Sequence, residues 1–188
     1  HGPNVMSAVT TPFMTKMMAT NLELYQAGEG VTASGVFYTA GSKYSIIANP
    51  FASGWFSSTG SGITMGLIIA IMLFSKRDDF KAIAKLAIPC GIFNINEPII
   101  FGIPMVMNAM FAVPFFLAPV ACVCCGYLVQ SLGLCPLFVI DVPWTTPVGL
   151  FGFLASSGNI MGAIWQIVVI VGVSTLIYTP FVIAANRQ

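Results

Sequence analysis

Glu97 is the residue of this chain best placed to do chemistry. It stands in the run Gly91-Ile-Phe-Asn-Ile-Asn-Glu-Pro-Ile-Ile-Phe-Gly102, and no charged residue follows it until Asp141. A carboxylate among apolar neighbours is costly unless it is paired, hydrogen-bonded or facing a wet cavity. It offers acceptor oxygens to hydroxyl groups and can take a proton as a general base. The plainer alternative, a helix-end glutamate at the water boundary, fits less well because the flanks are apolar on both sides. Intramembrane ionisable groups are functional by default.

The elements that must position Glu97 follow from composition. Of the 188 residues, 57% are hydrophobic and 7% charged, against about 45–50% and about 25% in ordinary soluble domains. The deficit of charge argues for a membrane protein more strongly than the excess of apolar residues does. A net charge of +1 with no basic stripe gives no grip on nucleic acid. The five cysteines are Cys90, Cys122, Cys124, Cys125 and Cys135, set beside one histidine. They read as small packing residues, with neither a zinc site nor a disulfide framework. No metal or cofactor is expected. The chain opens on His1-Gly2-Pro3 without an initiator Met, so it is expected to be a piece of a longer polypeptide whose N-terminal part holds further membrane spans.

Along the chain, spans are expected at about 60–75, 105–130 and 160–183, each near the roughly 20 apolar residues a helical crossing needs. The first is short for a span, and the second carries Pro114 and Pro119 as expected kinks. One hydrophilic block interrupts them, about 76–85, where Lys76, Arg77, Lys81 and Lys85 outweigh Asp78 and Asp79. The positive-inside tendency makes it a cytoplasmic loop. Residues 86–104 are apolar but broken by Pro89, Gly91, Pro98, Gly102 and Pro104. Residues 136–157 repeat the pattern with Pro136, Pro143, Pro147, Gly149 and Gly152. The first suits a re-entrant hairpin or a broken helix and the second is another candidate re-entrant segment, a backbone tolerated at membrane depth only where it is buried in protein or lines a cavity. Letting each hairpin return to its own side brings Arg187 back to the cytoplasm. The fold class is thus all-α integral membrane. In residues 1–59, Met14 to Tyr25 is expected to be an interfacial or tilted helix, with turns at Asn49-Pro50 and in Ser57–Gly62.

Several stretches resemble one family. The Gly91–Gly102 run is similar to the signature of enzyme IIC, the membrane subunit of the bacterial phosphoenolpyruvate:sugar phosphotransferase system, in its lactose/cellobiose/diacetylchitobiose branch. Val142-Pro-Trp-Thr-Thr-Pro147 with Gly152-Phe-Leu, His1-Gly-Pro-Asn-Val5, Asn21–Glu29 and Thr59–Leu67 fit it as well. The resemblance covers nearly the whole chain but only the C-terminal half of a family member. It departs at Ala109, where Pro is expected, and near Gly158-Asn159, where the family often carries an acid.

The resemblance implies a sugar-specific permease subunit of the cell membrane, multi-pass and homodimeric. Such a subunit binds a disaccharide between two re-entrant hairpins and carries it across for phosphorylation by phosphorylated IIB, itself supplied by IIA. It also implies roles for residues. Glu97 would hydrogen-bond a sugar hydroxyl near the phosphoacceptor carbon, and Asn96 would supply amide groups. His1, with Gly2 beside it, would bond the same hydroxyl and help activate it, so that the catalytic groups are Glu97 and His1. Trp144 would stack on a sugar ring; without the motif it reads equally as an interfacial belt residue. Asn94 could satisfy broken-helix backbone as readily as touch sugar. Asp141 would mark the outer water boundary, Gln166 would bond a neighbouring helix, and the Met and Phe residues would face lipid or pack.

Two other classes compete. An ion- or proton-coupled transporter would use Glu97 without phosphoryl transfer. A non-transporting receptor or a decayed gene fragment would explain a missing N-terminal half. Within the phosphotransferase reading nothing in the chain can be the phosphodonor, so a soluble IIB partner must dock, and the basic 76–85 block is the expected surface. Reversing Lys76 and Lys81 to Glu is therefore predicted to slow phospho-IIB-dependent sugar phosphorylation, measured in membranes with added partner; an unchanged rate would remove this surface from the docking site.

Overall fold

The computed structural model describes residues 2–32, 35–103, 105 and 109–186. His1, Pro104 and Arg187, each of which carries an expectation above, lie outside the described residues. The described chain is mostly helical. In order come α1 (Gly2–Gln26), a two-residue antiparallel ladder of β1 (Val31–Thr32) and β2 (Gly35–Val36), α2 (Asn49–Trp55), α3 (Met65–Phe74), α4 (Asp78–Ile92), α5 (Glu97–Gly102), α6 (Ala109–Ser131), α7 (Leu150–Ala155), α8 (Ile160–Ile167), a π-helical stretch at Val168–Val173, and α9 (Ser174–Ala185).

Among the described residues, two helical rods are long and apolar enough to cross a bilayer. One is Met110–Ser131, of 22 residues; the other is Ile160–Ala185, of 26, which runs unbroken through the π stretch. At about 1.5 Å per residue each exceeds the roughly 30 Å of hydrocarbon. Both carry large exposed apolar side chains, among them Val113, Leu117, Leu128, Ile164, Val168 and Leu176, which suits lipid better than water. By contrast α3 has only 10 residues, about 15 Å of helix. The expected span at 60–75 is therefore helical only from Met65, because residues 57–64 are taken up by turns.

The hydrophilic block is not simply a loop. Asp78 and Asp79 sit in the first turn of α4, where carboxylates complement the positive end of the helix dipole. Arg77 Nη2 meets Asp79 Oδ2 at 2.7 Å, and its guanidinium lies 4.1 Å from the Phe80 ring centroid. The hydrogen bond from Arg77 holds the Asp79 carboxyl below its ordinary value. Asn49-Pro50, expected as a turn, instead opens α2, with Pro50 in the first turn where its missing N–H costs nothing. The N-terminal helix is longer than expected and carries Pro12 inside it.

Two apolar clusters form the core. One gathers Phe51, Trp55, Ile63, Cys122, Phe138, Phe151 and Ile170, with Trp55 stacked on Phe138 at 5.3 Å between centroids. The other gathers Leu67, Ile71, Phe80, Ile99, Phe111 and Tyr178. Cys122 and Cys135 are buried packing residues and every cysteine is free. The second cluster depends on a close crossing of α3 and α9. A Cβ on Gly66 would lie 2.1 Å from Ser174 Oγ and 2.6 Å from the Ser174 carbonyl carbon. Side chains at helix ends tie the same pair: Asn186 Nδ2 donates to Phe74 O at 2.8 Å, and its Oδ1 accepts from Lys76 N–H at 2.8 Å.

Gly66→Ala is accordingly predicted to destabilise the fold by about 1–3 kcal/mol, the range for overpacking against backbone. A Cβ on Gly172 meets nothing within 4 Å, so Gly172→Ala should cost no stability. Thermal unfolding of both variants in detergent checks the contrast.

Candidate functional site

The site is built where helices stop. α4 ends in a reversed turn in which Ile95 N–H returns to Cys90 O at 3.0 Å and Asn94 N–H to Gly91 O at 3.1 Å. Asn94 occupies the left-handed position of this turn, with φ 64°, a place where Asn substitutes for Gly. Residues 93–96 then lead into α5, whose first turn holds Glu97 and Pro98. The break foreseen from Pro89, Gly91 and Pro98 is thus a helix–turn–helix, with Pro89 accommodated inside α4.

A second break faces this one. Residues 57–64 link α2 to α3 through turns, with φ of 62° at Thr59, 79° at Gly60, 80° at Gly62 and 50° at Ile63. Such angles are costly for Thr and Ile, and surrounding contacts have to impose them. Those contacts come from three side chains. Asn94 Oδ1 accepts from Thr59 N–H at 3.0 Å, Asn96 Nδ2 donates to Ser61 O at 2.7 Å, and Tyr178 Oη donates to Gly62 O at 2.6 Å. Gly60 lies so close that an added Cβ would stand 2.5 Å from Asn96 Cγ.

The third segment, residues 136–149, is extended chain and turn between α6 and α7. Its carbonyls at Trp144 and Thr146 accept from Asn94 Nδ2, the latter at 2.8 Å. Its far end is held by Gln166, fully buried on α8. Gln166 Oε1 accepts from Gly149 N–H at 2.9 Å and Gly152 N–H at 2.8 Å, while Nε2 donates to Gly54 O at 3.2 Å. The expected bond to a neighbouring helix is thus made to the backbone of α2 and of the α7 N-terminus.

These segments enclose a cavity of about 590 Å³ walled by Phe56, the 57–62 turns, Asn94, Asn96, Glu97, Trp144 and one face of α6 at Phe115, Phe116, Pro119 and Val120. Glu97 is exposed to it and, among the described residues, has no ion-pair or hydrogen-bond partner. Trp144 is 63% exposed and borders a second cavity as well, of about 450 Å³, with Asn49, Ser53 and Asp141. Asn49 Nδ2 donates to Asp141 Oδ2 there at 3.3 Å. The arrangement is an acceptor without a partner, amide groups, and an aromatic face around a space of ligand size.

Of the residues singled out in the sequence, Glu97, Asn96 and Trp144 come together on this cavity. His1 lies outside the described residues, and Gly2 enters only as the first residue of α1. Asn96 is 94% buried and one amide hydrogen is committed to Ser61, which leaves its oxygen and its second N–H for a ligand. Asn94 serves backbone, the first of its two foreseen roles. Phe115 and Phe116 were expected to pack or face lipid, yet both line the cavity; nothing in an apolar span distinguishes the face that meets a pocket. The wall at 57–62 had one legible signal, its Gly/Ser turn composition. Among the described residues no group of His, Cys, Asp and Glu could hold a metal.

Gly60→Ala is predicted to push Asn96 and the 57–62 turns apart, since both the 79° φ and the 2.5 Å approach oppose a side chain. Ligand affinity should fall by about ten-fold or more, with the helical content by circular dichroism unchanged.

Known proteins resemble this chain. A model of the family described as Phosphotransferase system, EIIC matches residues 1–119. The chain is 37% identical to the cellobiose-specific EIIC component of Lactococcus lactis subsp. lactis (strain IL1403) over 198 residues, covering 100% of this chain and 40% of that protein. It is 31% identical to the lactose-specific EIICB component of Staphylococcus aureus over 182 residues, covering 96% of this chain and 30% of that one. Among solved structures it resembles the transporter ChbC, the IIC component from the N,N'-diacetylchitobiose-specific phosphotransferase system, with a TM-score of 0.85, 32% identity, and 100% of this chain against 41% of that one. The chain therefore spans about 40% of the length of the EIIC component it matches. It belongs to the phosphotransferase system EIIC family.

Proposed function

We propose that this EIIC chain is the sugar-binding portion of a multi-pass permease in the bacterial cell membrane, and that the cavity at Glu97 takes a disaccharide. The observation that carries the reading is the meeting of Glu97, Asn96 and Trp144 around one open space. Sugar hydroxyls need acceptors and donors together, and the apolar C–H faces of a sugar ring suit the exposed indole of Trp144. The relatives named for cellobiose, lactose and N,N'-diacetylchitobiose support a substrate of that kind.

One ring would sit between Glu97 and Trp144, with the second ring beyond Trp144 towards Asn49 and Asp141, where the smaller cavity opens. The hairpin 86–104 and the segment 136–157 would be re-entrant, flanked by the crossing helices near 105–130 and 160–183, with 60–75 as a short third. The basic block at 76–85 would face the cytoplasm. Chemistry would be completed by phosphorylated IIB, loaded through IIA; the joined C and B letters in the name of the S. aureus relative suit such a partner. The sugar hydroxyl oxygen attacks the phosphorus, the bond from phosphorus to IIB breaks, and Glu97 takes the hydroxyl proton, with His1 assisting. A homodimer in the bilayer completes the proposal.

Glu97→Gln keeps the shape and removes the base. General-base catalysis contributes about 10²–10⁴ in rate, so disaccharide uptake and phosphorylation by membrane vesicles should fall at least about a hundred-fold while the variant still folds. Full uptake by a folded Glu97→Gln protein would refute the site. Uptake that continues without phosphorylated IIB would point to an ion-coupled carrier.

A further inference from the structure

Helices α1, α4 and α6 close with the same reversed turn, as does α7, with Ser157 in the left-handed position and Gly158 N–H returned to Phe153 O at 2.8 Å. The returning hydrogen bonds are Glu29 N–H to Leu24 O at 3.1 Å, Ile95 N–H to Cys90 O at 3.0 Å, and Leu134 N–H to Val129 O at 3.0 Å. The left-handed residue of the turn is Gly28 in α1 and Gly133 in α6, but Asn94 in α4. Glycine adopts this conformation without steric cost, so the turn alone does not call for an amide side chain.

The side chain of Asn94 is used elsewhere. It is 4% exposed and bonds three backbone groups: Thr59 N–H through Oδ1, and the Trp144 and Thr146 carbonyls through Nδ2. These partners lie 35, 50 and 52 residues away in sequence. The first belongs to the turn wall of the cavity and the other two to the segment that carries the indole, while Glu97 follows three residues after Asn94 on the same hairpin. One buried amide thus joins all three walls.

We infer that Asn94 is a positioning residue, which sets the Trp144 platform and the 57–62 turns at a fixed distance from Glu97. The inference rests on the sugar-site reading for its consequence but not for its geometry. Loosening Asn94 would leave each wall folded on its own helices and let the aromatic face drift from the carboxylate. Displacements of about 1 Å are enough to weaken a preorganised site.

The test uses the full-length protein labelled with 5-fluorotryptophan, with and without a disaccharide of the cellobiose type. Asn94→Gly preserves the left-handed turn and deletes all three bonds. Asn94→Asp preserves the acceptor for Thr59 and sets an oxygen against the Trp144 and Thr146 carbonyls. In both variants the fluorine resonance of Trp144, assigned through Trp144→Phe, should shift or broaden, and those of Trp55 and Trp165 should stay in place. The dissociation constant for sugar should rise about ten-fold in Asn94→Gly, and the factor should shrink to about two-fold when Trp144→Ala is already present, as expected for coupled residues.

An unmoved Trp144 resonance would overturn the inference, as would an equal loss of affinity with and without the indole. Failure of both variants to fold would also overturn it, because Asn94 would then hold the fold and not the platform. If the unmodified protein binds no disaccharide, the sugar-site reading fails while the fluorine spectra still decide the positioning role.

Discussion

Backbone that leaves a helix among apolar side chains must find its hydrogen bonds elsewhere in the protein, and this constraint organises the structure. Lipid supplies no partners. Several breaks among the described residues are answered by a polar side chain from another element. Asn94 answers the turns at Thr59 and the carbonyls at Trp144 and Thr146. Gln166 answers Gly149, Gly152 and Gly54. Tyr178 answers Gly62, and Asn186 answers Phe74 and Lys76. These few residues decide where the chain can be non-helical, and so where a cavity can open inside an otherwise apolar body.

The same constraint explains why the site lies at the junction of three breaks. Helices alone, packed along α3 and α9 as closely as Gly66 and Ser174 allow, leave no room for a ligand. Room appears where α4 stops short, where α2 has not yet passed into α3, and where α6 and α7 are joined by extended chain. Glu97 stands at the first of these places, which lets a carboxylate face open space. Phe115, Phe116 and Val120 of α6 close the remaining side, giving the apolar lining that a ring face prefers.

How much of this was legible in the sequence depended on the kind of signal. Glu97 stood out because charge is scarce, and the breaks around it stood out because Pro and Gly cluster there. The Gly/Ser run at 57–62 announced turns but not their meeting with Asn94 and Asn96, since contacts 35 residues apart leave no local pattern. The hydrophilic block looked like a loop because its charges masked a helix start, with Asp78 and Asp79 favouring the N-terminal turn of α4. Asn49-Pro50 looked like a turn for a similar reason, though proline is at home in a first helical turn. The lining face of α6 was illegible: an all-apolar helix gives no periodicity by which to tell lipid from cavity.

In the proposed function, the space between Glu97 and Trp144 holds the sugar. The most direct test is an electron cryomicroscopy map of the full-length protein with a saturating disaccharide. Ring density is expected against the Trp144 indole, with a hydroxyl within hydrogen-bond reach of the Glu97 carboxylate. Sugar density elsewhere, with this cavity empty or filled by lipid, would contradict it.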